Sequence, residues 1–310
     1  MEQIHVTDVA ARDGLQNQPV HLSTASKLHL IGLLDAAGVA SVEATSFVSP
    51  KAVPQMADAG ELMQQLNQAY PDLRSSVLVP NLKGLERAVA AGAREIAVVL
   101  SATEIMNQKN INMSLAQASE ASEQVLTRAC ELGMRTRAYI AVAFACPFEG
   151  ATPLDRVVRL AARMQAAGAG EIVIADTIGA AAPPDVRERM SALAQVVAPD
   201  RLAIHLHDTR GMAVANAWAA LEAGVRRFDS SAGGIGGCPF APGAAGNLAT
   251  EDLVLMAGQS GFATGIDLDL LMDAVAFAER ELQRPLGGGA ATWLRRQRTR
   301  RAAAAQANGG

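Results

Sequence analysis

The sequence predicts an α/β fold, a closed (β/α)8 barrel with extra C-terminal helices, and three observations carry that expectation. A phrase of helix, small residue, glycine and short β-rich run recurs along the chain. Eight β-rich runs alternate with helical stretches, and eight such units in about 260 residues suit a closed barrel. No G-x-G-x-x-G turn follows the first run, which weakens a doubly wound open sheet, the rival architecture.

The recurring phrase stands at Ala37-Gly38, Ala91-Gly92, Leu132-Gly133, Ala169-Gly170 and Ala223-Gly224. Glycine is favoured just past a helix end because it takes positive φ without a Cβ clash. The β-rich runs lie at roughly 4–11, 39–47, 74–81, 95–103, 135–144, 171–177, 202–209 and 227–235. Helical patterns such as Ser26–Ala37 and Leu82–Ala91 separate them. Strands that alternate with helices pair in parallel, because a parallel crossover needs a helix-length return. After Asn247 the chain reads as helical to about Leu282, and it ends in a basic run. Residues 1–285 are therefore expected to form one domain and 286–310 a flexible basic tail.

Composition limits the function. Half of the 310 residues are hydrophobic but only 4% are aromatic, so the core must rest on Ala, Val, Leu and Ile. A formal net charge of −4 gives no sign of nucleic-acid binding. Cys130, Cys146 and Cys238 are odd in number and far apart, which reads as reduced thiols rather than a disulfide framework. No apolar run reaches bilayer length, and no basic-then-apolar leader opens the chain, so a cytoplasmic protein without a membrane partner is expected.

Barrels of this kind carry their chemistry at the C-terminal ends of the strands. Those ends hold Arg12, Asp13 and Gln16 after the first run, and Glu43 and Ser46 on the second. Arg137 and Tyr139 lie on the fifth, Asp176 and Thr177 on the sixth, and His205, His207 and Asp208 on the seventh. The eighth leads into a glycine-rich loop with Gly236, Gly237, Cys238 and Asn247. Two residues apart on a strand, His205 and His207 project from one face. Closure sets the seventh, eighth and first strands side by side, so Asp13, His205 and His207 can meet, with Asn247 reaching in. Two nitrogens with carboxylate and amide oxygens suit a divalent cation, Mg²⁺ or Mn²⁺ first and Zn²⁺ also compatible. Two histidines and one carboxylate are equally the ligand set of non-haem Fe(II) oxygenases. Arg12 beside this group is a fixed cation able to stabilise an oxyanion. Glu43 either supports the metal's surroundings or simply pairs with Arg12. On a glycine-rich loop over a polar site, Cys238 is a candidate proton donor.

With these residues gathered, the chain resembles the 3-hydroxy-3-methylglutaryl-CoA lyases of the DRE-TIM metallolyase superfamily. The resemblance lies in "ARDGLQNQ", "VEATSFVSPKAVPQMAD", "VPNLKGLERAVAAGA", "KNIN", "CPFEG", "DTIG", "IHLHDTRG" and "GGIGGCPFAPGAAGNLATEDLV", spread over about residues 6 to 256. The glycine-rich cysteine loop and "SFVSPKAVPQMAD" separate such lyases from the superfamily's synthases and aldolases. The resemblance implies a TIM barrel in which Asp13, His205, His207 and Asn247 are metal ligands. It implies that Glu43 supports the site, Arg12 stabilises a thioester enolate, and Cys238 moves a proton. It places Gln16, Ser46, Tyr139, Asp176 and Thr177 along the pocket, with Gly236 and Gly237 beside them, and leaves Asp176 or a ligand histidine as the base. It further implies an acyl-CoA substrate, acetyl-CoA and acetoacetate as products, a place in leucine breakdown, and a homodimer. A lyase for longer or differently branched 3-hydroxyacyl thioesters is the nearest alternative. The chain departs from the family pattern at Arg210, Met113 and Phe148, and Arg210 bears on which acyl group is accepted.

Overall fold

A computed structural model describes residues 1–237 and 246–308, the last four by backbone alone. Eight parallel strands close a barrel in sequential order. They are β1 (His5–Asp8), β2 (Ser41–Ser46), β3 (Arg74–Leu78), β4 (Glu95–Ser101), β5 (Arg135–Ala141), β6 (Glu171–Asp176), β7 (Leu202–Leu206) and β8 (Arg227–Ser230). The outer layer is α1 (Thr24–Ala36), α2 (Ala59–Ala69), α3 (Leu82–Ala90), α4 (Glu104–Ile111), α5 (Leu115–Glu131), α6 (Leu154–Ala166), α7 (Pro183–Leu193) and α8 (Ala213–Glu222). Three further helices follow β8: α9 (Thr250–Gln259), α10 (Leu268–Leu282) and α11 (Ala291–Asn308).

Local chemistry starts and stops these elements. Ser114 opens α5 with a capping box in which its side chain and that of Gln117 satisfy each other's backbone N–H. Asn81 accepts the Gly84 N–H at 2.9 Å to open α3. The glycines after α1, α3, α5 and α8 take positive φ as expected. At α6 the left-handed residue is Gly168, φ 105°, rather than Gly170. Gly170 instead lets the chain approach the Thr136 carbonyl, which a Cβ would meet at 3.2 Å. Gly38 shows what such a position costs to alter. Its φ is 87°, and a Cβ would lie 2.5 Å from the Gly265 carbonyl oxygen. Gly38→Ala should destabilise the fold by about 1–3 kcal/mol, read from denaturant unfolding; unchanged stability would contradict this strain.

Two expectations need correction. Most β-rich runs extend past the true strands at their C-terminal ends, as at β1, which stops at Asp8, and β8, which stops at Ser230. There the chain leaves the ladder but stays buried, so the apolar pattern continues where strand pairing does not. The tail expected to be flexible is instead largely α11. Ala291 and Leu294 are buried, and Arg295, Arg298 and Arg301 pair with Glu279, Asp273 and Asp269 of α10. A basic run looks solvated until an acidic helix is set beside it.

The main core lies between barrel and helices. Inside the barrel, Leu78, Ala97, Tyr139, Val173 and Ala203 form a small separate apolar layer. At the N-terminal end of the strands Glu95 pairs with Arg74 and Arg135, and Glu171 with Arg137 and Arg227. The opposite mouth carries the site.

Candidate metal and active site

Asp8, the last residue of β1, organises the mouth. Its carboxylate accepts the N–H of Ala10 at 2.9 Å, the N–H of Ala232 at 2.8 Å and the hydroxyl of Thr250 at 2.7 Å. It thereby ties the ends of β1 and β8 to the start of α9. Burial pushes this carboxyl up to about 6, although the bonds it accepts oppose the rise. After Asp8 the chain makes one π-helical turn, Ala10–Gly14, a form common at functional sites. A Cβ on Gly14 would crowd Ile235 at 3.1 Å, so glycine lets this turn lie against the segment after β8. Arg12 and Asp13 belong to the turn.

Asp13, His205 and His207 bring ligand atoms within 4.8 Å of one another. The two histidine Nε2 atoms are 3.1 Å apart. Adjacent ligands about 2.1 Å from an octahedral ion stand about 3 Å apart, so this spacing fits one cation. The backbone at Asn247 pairs antiparallel with that at His207, and the Asn247 Nδ2 donates to Asp13 Oδ2 at 2.9 Å and to the Ile235 carbonyl at 3.1 Å. Its Oδ1 is buried without a hydrogen-bond partner among the described residues. A buried amide oxygen left bare is costly unless a cation takes it. These four residues therefore suit a mixed nitrogen–oxygen divalent site.

Arg12 is buried and doubly held. Its Nε donates to Glu43 Oε2 at 2.6 Å, its Nη2 pairs with the same oxygen, and its Nη1 reaches Asp13 Oδ1 at 2.8 Å. Loss of water opposes the guanidinium charge, but Glu43 and Asp13 outweigh it and raise its pKa further. Asp13 loses water too, yet Arg12 and the two imidazoles hold it below the usual carboxylate range. For Glu43 burial wins over Arg12, and its pKa rises. Burial, and then His205, push His207 down to about 4, so its imidazole is neutral at neutral pH. Neutral imidazole and ionised carboxylate are the forms that bind metals.

The remaining candidates are placed as follows. Gln16 Nε2 donates to Asp13 Oδ1 at 3.3 Å. Ser46 is buried on β2 with its hydroxyl unpartnered among the described residues. Asp176 accepts the N–H of Ala180 at 2.7 Å and of Ala181 at 3.0 Å, one with each oxygen, and burial raises its pKa. Thr177 Oγ1 accepts the Val142 N–H at 2.7 Å and so holds a valine at φ 48°, a strained conformation at the end of β5. Tyr139 lies deeper and donates to Asp229 Oδ2 at 2.6 Å. A Cβ on Gly236 would strike Asn247 Nδ2 at 2.6 Å, and the Gly237 carbonyl accepts from Asn17 at 3.4 Å. Cys238 lies outside the described residues.

The sequence reading missed Asp8 and Asp229. Asp229 is buried on β8, accepts from Arg137 Nη2 at 2.7 Å, and lies 3.3 Å from His205 Nδ1. An acidic residue at an inward strand position was the available signal, but its partners lie 92 and 24 residues away.

Comparison with known proteins adds the following. The HMGL-like family profile matches residues 3–277. The chain is 43% identical over 283 residues to the mitochondrial hydroxymethylglutaryl-CoA lyase of Bos taurus, covering 91% of this chain and 87% of that protein. The crystal structure of the HMG-CoA lyase from Brucella melitensis matches at TM-score 0.88 and 43% identity, covering 91% of this chain and 100% of that one. An HMG-CoA lyase from Acinetobacter baumannii, solved with coenzyme A and 3-methylmalate, matches at TM-score 0.89 and 38% identity over 94% of each chain.

Proposed function

The chain belongs to the HMGL-like family, and from that premise we propose that it cleaves 3-hydroxy-3-methylglutaryl-CoA to acetyl-CoA and acetoacetate. One observation carries the reading: Asp13, His205, His207 and Asn247 converge at the barrel mouth with the Arg12 guanidinium fixed beside them. Relatives that share this much sequence bear the name of that lyase.

Asp13, His205, His207 and Asn247 would hold a divalent cation, which when bound would supply Lewis acidity toward the substrate's 3-hydroxyl. Transfer of the hydroxyl proton to a base at the mouth, Asp176 or a site histidine, turns the C–O bond into a ketone and breaks the C2–C3 bond. The electron pair passes to the thioester, which becomes an enolate. Arg12, locked between Glu43 and Asp13, offers its remaining N–H groups to that enolate oxygen without having to reorganise. Protonation of the enolate carbon, assigned to Cys238, completes acetyl-CoA. Asp176 fixes the turn after β6 at the rim through its two backbone bonds.

Magnesium or manganese as the ion rests on the mixed nitrogen–oxygen donor set, and a homodimer and a role in leucine breakdown rest on the likeness to the family. A cytoplasmic setting, in line with a 42% identical lyase named as cytoplasmic from Rattus norvegicus, completes the proposal. No helix among the described residues is long and apolar enough to cross a membrane. The deciding experiment mixes metal-loaded protein with 3-hydroxy-3-methylglutaryl-CoA under argon. Equal amounts of acetyl-CoA and acetoacetate are expected, and turnover without oxygen separates this reading from an oxygenase. Failure to release acetyl-CoA would overturn it, and a higher kcat/KM for a longer or differently branched thioester would reassign the acyl group.

A further inference from the structure

We propose that Asp229 is a positioning residue of the metal site: it accepts the Nδ1 proton of His205 and so holds that ring as the tautomer whose Nε2 lone pair faces Asp13 and His207. This role presupposes the metal reading above and extends it to residues in the depth of the barrel.

The hydrogen-bond inventory leaves one arrangement. Arg137 has only donors; its Nη2 reaches Asp229 Oδ1 at 2.7 Å and its Nη1 reaches the Tyr139 oxygen at 2.9 Å. Tyr139 therefore turns its own proton to Asp229 Oδ2, 2.6 Å away. The buried Asp229 carboxylate, facing these two donors, only accepts. The ring atom beside it, His205 Nδ1 at 3.3 Å, must then carry a proton. A neutral imidazole has one, so Nε2 is left bare. Arg137 is itself anchored on Glu171, 2.6 Å from its Nε, and Glu171 also takes Arg227. A chain of contacts, Glu171–Arg137–Asp229–His205, thus runs up the barrel interior to the residues that would hold the ion. His207 Nδ1 has no such partner among the described residues. A carboxylate kept only to neutralise Arg137 would not need to face an imidazole.

Asp229→Asn tests this with almost no change of shape. Arg137 claims the amide oxygen, because a guanidinium repels the NH2 group. The amide NH2 then faces His205 Nδ1 and drives the ring proton to Nε2. Mn²⁺ should bind the folded variant about 10–100-fold more weakly by calorimetry. Burial opposes the His205 charge, but the Asp229 bond and Asp13 outweigh it and raise the ring's pKa. The ¹⁵N-edited spectra of metal-free protein are therefore read on the alkaline plateau of the ring shifts, where the imidazole is neutral, and there the His205 proton should move from Nδ1 to Nε2. Tyr139→Phe removes a donor and keeps the acceptor, so it should retain the wild-type tautomer. A wild-type ring protonated on Nε2, or unweakened Mn²⁺ binding by Asp229→Asn, would overturn the proposal. The wild-type spectrum decides alone if the variant does not fold. Wild-type protein that binds no Mn²⁺ would remove the metal premise instead, while the spectrum still judges the tautomer.

Discussion

Arg12→Gln should lower kcat by on the order of 100-fold or more while the protein keeps its metal. Charge develops on the thioester oxygen only as the C–C bond breaks, so a guanidinium fixed there beforehand stabilises the transition state more than the bound substrate. The substitution keeps a long polar side chain but loses the positive charge and the forked donor set. KM should change far less than kcat, and metal content, by elemental analysis, should match wild type. Near-normal kcat would refute the enolate role.

The same substitution leaves Glu43 buried without its counter-ion. Burial already raises this carboxyl's pKa despite Arg12; without Arg12 it rises further. A folded-state pKa raised above the unfolded value means that the folded form holds its proton more tightly, so stability is lost as pH rises. Relative to wild type, Arg12→Gln should therefore be least stable at alkaline pH and recover toward acid pH. Denaturant midpoints at two pH values check the sign; a deficit that grows on acidification would contradict it.

His205→Ala should strip the site of metal. A removed ligand should cost more than the about 10–100-fold in affinity typical of losing an outer partner. After dialysis the variant should hold far less than one ion per chain, against about one in wild type, and turnover should fall with it. The fold should survive, because Asp229 keeps Arg137 and Tyr139 as donors when the imidazole is gone. Circular dichroism and a melting curve separate metal loss from unfolding. Undiminished metal content would remove His205 from the ligand set.

The sequence by itself determined the alternation of strands and helices, the glycine stops, and several of the polar residues near the mouth, whereas Arg137 and Tyr139 proved to lie deeper. Those are local facts: a period, a cap, or an His-x-His pair on one strand face. It also pointed to Asp13 meeting the two histidines, because closure makes the first, seventh and eighth strands neighbours. Only the tertiary structure decided what stands opposite what. Asn247 bonds Asp13 across 234 residues of chain, and Arg137 meets Asp229 across 92. Alternation says that a side chain points inward but not which charge awaits it, so Asp229 passed for an ordinary strand residue. For the same reason the arginines of α11 looked solvated until α10 presented Asp269, Asp273 and Glu279 to them. Asp8 and the π-turn Ala10–Gly14 were invisible because a buried turn keeps the apolar pattern of the strand before it.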